Sequence, residues 1–132
     1  MIVYRVECTS CDLGPYNCDC PSWLPYRDGL RVAHGTDQFL SKHPGMLIDF
    51  PQEQSYGGME NYYCGFLSIQ QLLDWFQADE IKDLNANDFT LSHYETDTAI
   101  EGFSRTQIFF WLGGRNTKLL NATEIPQCAA SI

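Results

Sequence analysis

The chain has 132 residues, 44 % hydrophobic and 14 % aromatic, which suits one packed domain and excludes a disordered tail or two separate cores. Seventeen carboxylates against eight Lys and Arg give a formal net charge of −9. Such a surface repels phosphate backbones, so direct nucleic-acid binding is not expected. No apolar run approaches the ~20 residues that span a bilayer, and no membrane role is expected.

Residues 2–7 alternate, with Ile2, Tyr4 and Val6 opposed to Val3, Arg5 and Glu7, and read as a strand. Arg5 and Glu7 stand where a signal peptide would keep its apolar stretch, so the expected location is the cytoplasm, with cysteines reduced. Residues 8–30 carry Cys8, Cys11, Cys18 and Cys20 with Pro15, Pro21, Pro25 and Gly29, and read as a long Cys-rich loop that needs a staple or a function. A short helix is expected around Gln38–Lys42, then an apolar stretch at Met46–Phe50 and a Gly-rich polar loop over 51–61. Tyr63–Leu67 reads as a strand running into the main helix, 68–78. There Ser68-x-x-Gln71 forms a capping box, and Ile69, Leu72, Leu73 and Phe76 give one apolar face. A second short helix is expected over Asp79–Leu84. Strands follow at Phe89–Thr96, Gln107–Leu112 and Thr117–Leu120, the last after a Gly113–Asn116 turn, with a loosely ordered tail from Asn121. The expected class is α+β: a single domain, 1–132, of about five mostly antiparallel strands with one main helix on one face.

The spacing C-x₂-C-x₆-C-x-C is the most specific chemical signal. Four thiolates so close in a chain read as cytoplasmic suit a structural Zn²⁺, which takes sulfur ligands in a tetrahedron. Such a shell is closed, so the ion would hold the loop and would not activate water. The alternatives are reduced thiols in a loop, or local disulfides formed on oxidation. Cys64 precedes His93 and Asp97 in the order of a Cys-His-Asp triad, but its Tyr-Tyr-Cys-Gly-Phe setting is that of a buried, inert thiol. His34, His43 and His93 lack metal-ligand spacing. Arg5 could capture a phosphate or carboxylate, or pair across strands with Glu95 or Asp97.

Tyr4-Arg5-Val6-Glu7, Gly14-Pro15-Tyr16, Gly65-Phe66-x-Ser68, Leu72-x-x-Trp75-Phe76, Tyr94-Glu95 and Gln107-Ile108-Phe109-Phe110 together resemble a recurrent type of small tailed-phage protein. That resemblance implies a viral or prophage origin and no established activity. In the order of its elements the chain is also similar to small ADP-ribosyltransferase-like domains. That similarity implies NAD as cofactor, with Arg5 on its diphosphate, Ser68 supporting the nicotinamide ribose and Glu95 polarising the glycosidic carbon.

Charge, aromatic loops and the lack of a strong catalytic set point first to a non-enzymatic phage interaction protein. It is expected to bind and inhibit a host protein or protein–nucleic-acid complex with a basic surface, as an anti-CRISPR or anti-defence inhibitor does. Asp79, Glu80, Asp83, Asp88 and Asp97 would supply the contact, with Trp23, Tyr26 and Tyr56 as aromatic anchors. The alternative is a mono-ADP-ribosyltransferase acting on a host target; the third reading is a structural virion or assembly protein.

Overall fold

A computed structural model describes residues 1–35, 62–102, 104–111 and 117–127. The segments expected at Gln38–Lys42, Met46–Phe50 and 51–61, the anchor Tyr56 and the Gly113–Asn116 turn lie outside the described residues. The described part is α+β, with two antiparallel three-stranded sheets and three helices.

The first sheet is ordered β1 (Ile2–Cys8), β3 (Phe89–Glu95), β6 (Lys118–Thr123). The second is ordered β2 (Tyr62–Gly65), β5 (Ile108–Trp111), β4 (Ile100–Glu101). The alternation read in β1 and β3 holds. Val6 faces Leu91 and Cys8 faces Phe89 on the side of the main core, while Val3 faces Tyr94 and Arg5 faces Ser92 on the other.

A bridge joins the sheets: Tyr4 N–H donates to Phe66 O at 2.8 Å, and Phe66 N–H to Tyr4 O at 2.7 Å. Gly65 makes this approach possible, since a Cβ there would lie 2.7 Å from Tyr4 O and 3.1 Å from Phe110 Cε1.

Three expectations change at the helices. Residues 24–35 form α1 (Leu24–Gly35) inside the segment read as loop. Pro25 is tolerated because it falls in the first turn, where a missing N–H leaves no helical bond unmade. Trp23, Leu30 and His34 are buried at helical spacing and fix the inward stripe, with half-buried Arg27 on the same side.

The main helix is shorter than read, α2 (Ile69–Trp75), and the second helix expected over Asp79–Leu84 is present as α3 (Ala78–Ala86). Phe76, at φ −106° and ψ 138°, leaves the helical region while its ring stays buried. Ser68 caps α2 as read, accepting Gln71 N–H at 3.1 Å, but the Gln71 side chain reaches back to Leu67 N–H at 2.7 Å and not to Ser68.

The tail is more ordered than expected. β6 runs to Thr123, and Ile125 is buried, its backbone held at both ends by the Asn85 amide.

The main core lies between the first sheet and the helices and includes Trp23, Leu72, Trp75, Ile81, Leu84 and Phe89. A smaller cluster of Val3, Tyr94, Ile108 and Phe110 fills the junction of the two sheets.

Candidate metal centre

The four cysteines of the sequence signal meet at the end of β1. All four sulfurs lie within 4.8 Å of one another. Cys11 Sγ is 3.5 Å from Cys18 Sγ, and Cys8 Sγ is 3.8 Å from Cys20 Sγ. A tetrahedron with Zn–S bonds of about 2.3 Å has edges of about 3.8 Å, so the cluster is close to the size that one zinc ion requires. The donor set fits as well, since thiolates suit Zn²⁺ and four of them complete its shell. None of the four is in a disulfide.

Local backbone builds this arrangement. Cys8 ends the strand and Asp12 turns the chain, with Asp12 N–H bonded to Cys8 O at 2.9 Å and Cys8 N–H to Leu13 O at 2.9 Å. Asp12 takes φ 63°, the left-handed conformation that Asp tolerates better than most residues. Burial acts to raise the Cys8 thiol, but backbone N–H groups of Ser10 and Cys11 on its sulfur outweigh that and hold it below the usual thiol range. The second half turns at Gly14, whose carbonyl accepts from Asn17 and Cys18. Burial pushes the Cys18 thiol up to about 12.

The loop that carries the sulfurs is fastened to α1. Trp23 Nε1–H donates to Pro15 O at 2.8 Å, Arg31 Nε–H to Tyr16 O at 2.9 Å, and Arg27 bonds Cys18 O at 3.5 Å and pairs with Asp19. The Tyr16 hydroxyl accepts Trp75 Nε1–H at 2.8 Å and lies 2.5 Å from His34 Nδ1. His34 Nε2 in turn lies 2.8 Å from Glu80 Oε2. Loop, α1, α2 and α3 are thus tied by one polar chain. Sequence reasoning missed Tyr16, Arg27, His34 and Trp75 in this role. The helical spacing of Trp23, Arg27, Leu30 and His34 was the available signal.

The residues assigned to NAD chemistry are not brought together. Arg5 is buried, its Nε 3.2 Å from Glu7 Oε2, its Nη1 on Cys64 O at 3.2 Å and its guanidinium 4.5 Å from the centre of the Tyr63 ring. Glu7 also accepts the Tyr94 hydroxyl at 2.7 Å. The arginine's partner is therefore its neighbour on β1, and not Glu95 or Asp97. Glu95 faces Ile2, so it projects from the opposite side of the sheet to Arg5. The Ser68 hydroxyl is spent on the cap of α2. His93 of the Cys64 triad pairs with Thr123 Oγ1 at 3.1 Å.

The predicted contact residues fare unevenly. Trp23 is 2 % exposed and packs on Phe89, with ring centres 4.7 Å apart, so it is core and not an anchor. Tyr26 is 44 % exposed and stacks on Trp23. Glu80 is half-buried, with one oxygen on His34 and the other on Gln77 N–H. Asp79, Asp88 and Asp97 are exposed and Asp83 is half-buried. Among the described residues no helix is long and apolar enough to cross a membrane.

A family model described as Bacteriophage T4 Y00F protein matches residues 1–119. No curated protein and no solved structure matches the chain. The family match covers most of the sequence, and the chain therefore belongs to that family of phage proteins.

Proposed function

From that family membership, we propose that the chain is a non-enzymatic interaction protein of a phage, an acidic domain stapled by structural zinc. Its target is a host protein or protein–nucleic-acid complex with a basic surface, which it inhibits in the manner of an anti-defence or anti-CRISPR protein. The carrying observation is a closed thiolate cluster set in an acidic border. Asp12 is exposed beside the ligands, Asp19 is exposed there but paired with Arg27, and exposed Asp88 is joined to the loop through its carbonyl, which accepts Thr9 N–H at 3.0 Å. Four thiolates on one Zn²⁺ carry a further net charge of about −2, so metal loading adds to the acidity at that end. Such a field steers a basic partner and speeds its encounter.

The role of each part follows from its place. Zinc would hold the loop, the loop holds α1, and the exposed carboxylates Asp79, Asp88 and Asp97 with Tyr26 supply the contact.

The experiment is affinity capture from host lysate, with the captured complex then titrated with salt. Binding should weaken as ionic strength rises and weaken again when Asp79, Asp88 and Asp97 are changed to Asn. Capture that persists undiminished under both treatments overturns the proposal. An NAD-dependent mass gain on the captured host protein would instead favour transferase chemistry.

A further inference from the structure

The sulfurs form two pairs of matched character. Cys11, partly exposed, is 3.5 Å from buried Cys18, and Cys20, partly exposed, is 3.8 Å from buried Cys8. Each pair therefore joins a thiolate that a small oxidant can reach to one that it cannot. We infer that the cluster is a peroxide-responsive switch, in which Cys11–Cys18 and Cys8–Cys20 close as nested disulfides and release the metal. The inference rests on the reading of the site as a zinc tetrathiolate.

The chemistry balances with hydrogen peroxide as the oxidant. An accessible thiolate, Cys11 or Cys20, attacks one peroxide oxygen, the O–O bond breaks, and with a proton the products are a sulfenic acid and water. The buried partner thiolate then attacks the sulfenic sulfur; the S–O bond breaks, hydroxide leaves as water with a second proton, and the disulfide forms. Each disulfide consumes one peroxide and two protons. Two of them remove all four ligands, and Zn²⁺ departs.

The geometry selects the pairs. A Cys18–Cys20 disulfide would close over a single intervening residue, and Cys8–Cys11 over two inside a turn whose backbone bonds already fix it. The nested pairs need only contraction along contacts of 3.5 and 3.8 Å that are already in place. The outcome is a chain with its loop still tied but with the negative charge of the zinc site removed. Attraction to a basic partner would fall.

The test treats the zinc-loaded full-length protein with hydrogen peroxide in the presence of a chromogenic zinc chelator, followed by peptide mapping without reduction. One zinc per chain should be released at about two equivalents of peroxide, with Cys11–Cys18 and Cys8–Cys20 as the mapped pairs. Reductant and zinc should restore the starting state, and Cys64→Ser should leave the response unchanged. Zinc retained while Cys64 or Cys128 is oxidised overturns the switch alone, as does either other pairing, Cys8–Cys11 with Cys18–Cys20 or Cys8–Cys18 with Cys11–Cys20. A protein that takes up no zinc under reducing conditions overturns the switch and the staple together.

Discussion

The hydroxyl of Tyr16 lies 2.5 Å from Nδ1 of His34, which fastens the cysteine loop to α1 at the far end of the helix from Trp23. The same hydroxyl accepts Trp75 Nε1–H, so Tyr16→Phe would remove two buried hydrogen bonds at once. Each lost bond costs about 0.5–1.5 kcal/mol. The expected result is a lower denaturant midpoint at an unchanged slope, with zinc stoichiometry preserved. A midpoint equal to wild type would mean that the polar chain contributes nothing.

Gly65 is held by a close approach between strands. Gly65→Ala would bring Cβ to 2.7 Å from Tyr4 O, a backbone atom that can move only by parting the bridge to Phe66. Overpacking of this kind typically costs about 1–3 kcal/mol. Chemical denaturation reads the loss. Gly14→Ala is the matched control, since its Cβ would meet nothing closer than Arg5 Nη2 at 3.6 Å.

Trp23 and Tyr26 stack on each other but should separate by experiment. Trp23→Ala opens a cavity against Phe89 and removes the bond to Pro15 O, at a cost of about 3–5 kcal/mol. Tyr26→Ala removes a ring already close to half exposed and should change stability far less. If Tyr26→Ala weakens partner capture while leaving the thermal midpoint near wild type, the contact surface includes α1.

These pairs show what was legible from residues alone. The alternation of β1 and β3 was readable because each buries alternate side chains against hydrophobic layers, so period two survives in the sequence. The cysteine cluster was readable because its ligands are close along the chain and of one type. Helix α1 was obscured by Pro21, Pro25 and Gly29, and by a stripe that places Arg27 and His34 where apolar residues are expected. Trp23 shares a loop-like setting with Tyr26, and only the fold decides which ring goes inside. The partner of Arg5 was misread because it was sought across strands, although the two-residue spacing of Arg5 and Glu7 already puts both side chains on one strand face. The contacts from Tyr16 through His34 to Glu80 join distant segments, and no local pattern encodes them.

The tyrosines predict an alkaline limit. Burial raises Tyr16 well above the ordinary phenol value of about 10. Burial and the carboxylate of Glu7 do the same for Tyr94. A group whose folded value is raised binds its proton more tightly in the folded state, so its stabilisation is complete below about pH 10 and is lost as pH rises further. The tyrosine contribution to the denaturation midpoint should be flat up to that point and fall above it. Tyr94→Phe should flatten the fall, while lowering stability at neutral pH through the unpaired Glu7 oxygen. An alkaline limb identical in the variant would assign the loss to other groups.

Zinc uptake itself should be visible as protons. In the metal-free chain the Cys18 thiol, pushed up to about 12 by burial, keeps its proton at neutral pH. The metal takes thiolate and not thiol, so binding must expel that proton, with more from any other cysteine still protonated. Apparent zinc affinity therefore rises with pH, whereas a site made from groups already charged would show no such dependence. Titration calorimetry in buffers of different ionisation enthalpy reads the number released per zinc, and Cys18→Ala should lower that number by about one as it weakens binding. Heats that do not vary with the buffer would place the metal away from these sulfurs. A proton count of one or more, lost together with tight binding in Cys18→Ala, places it on them.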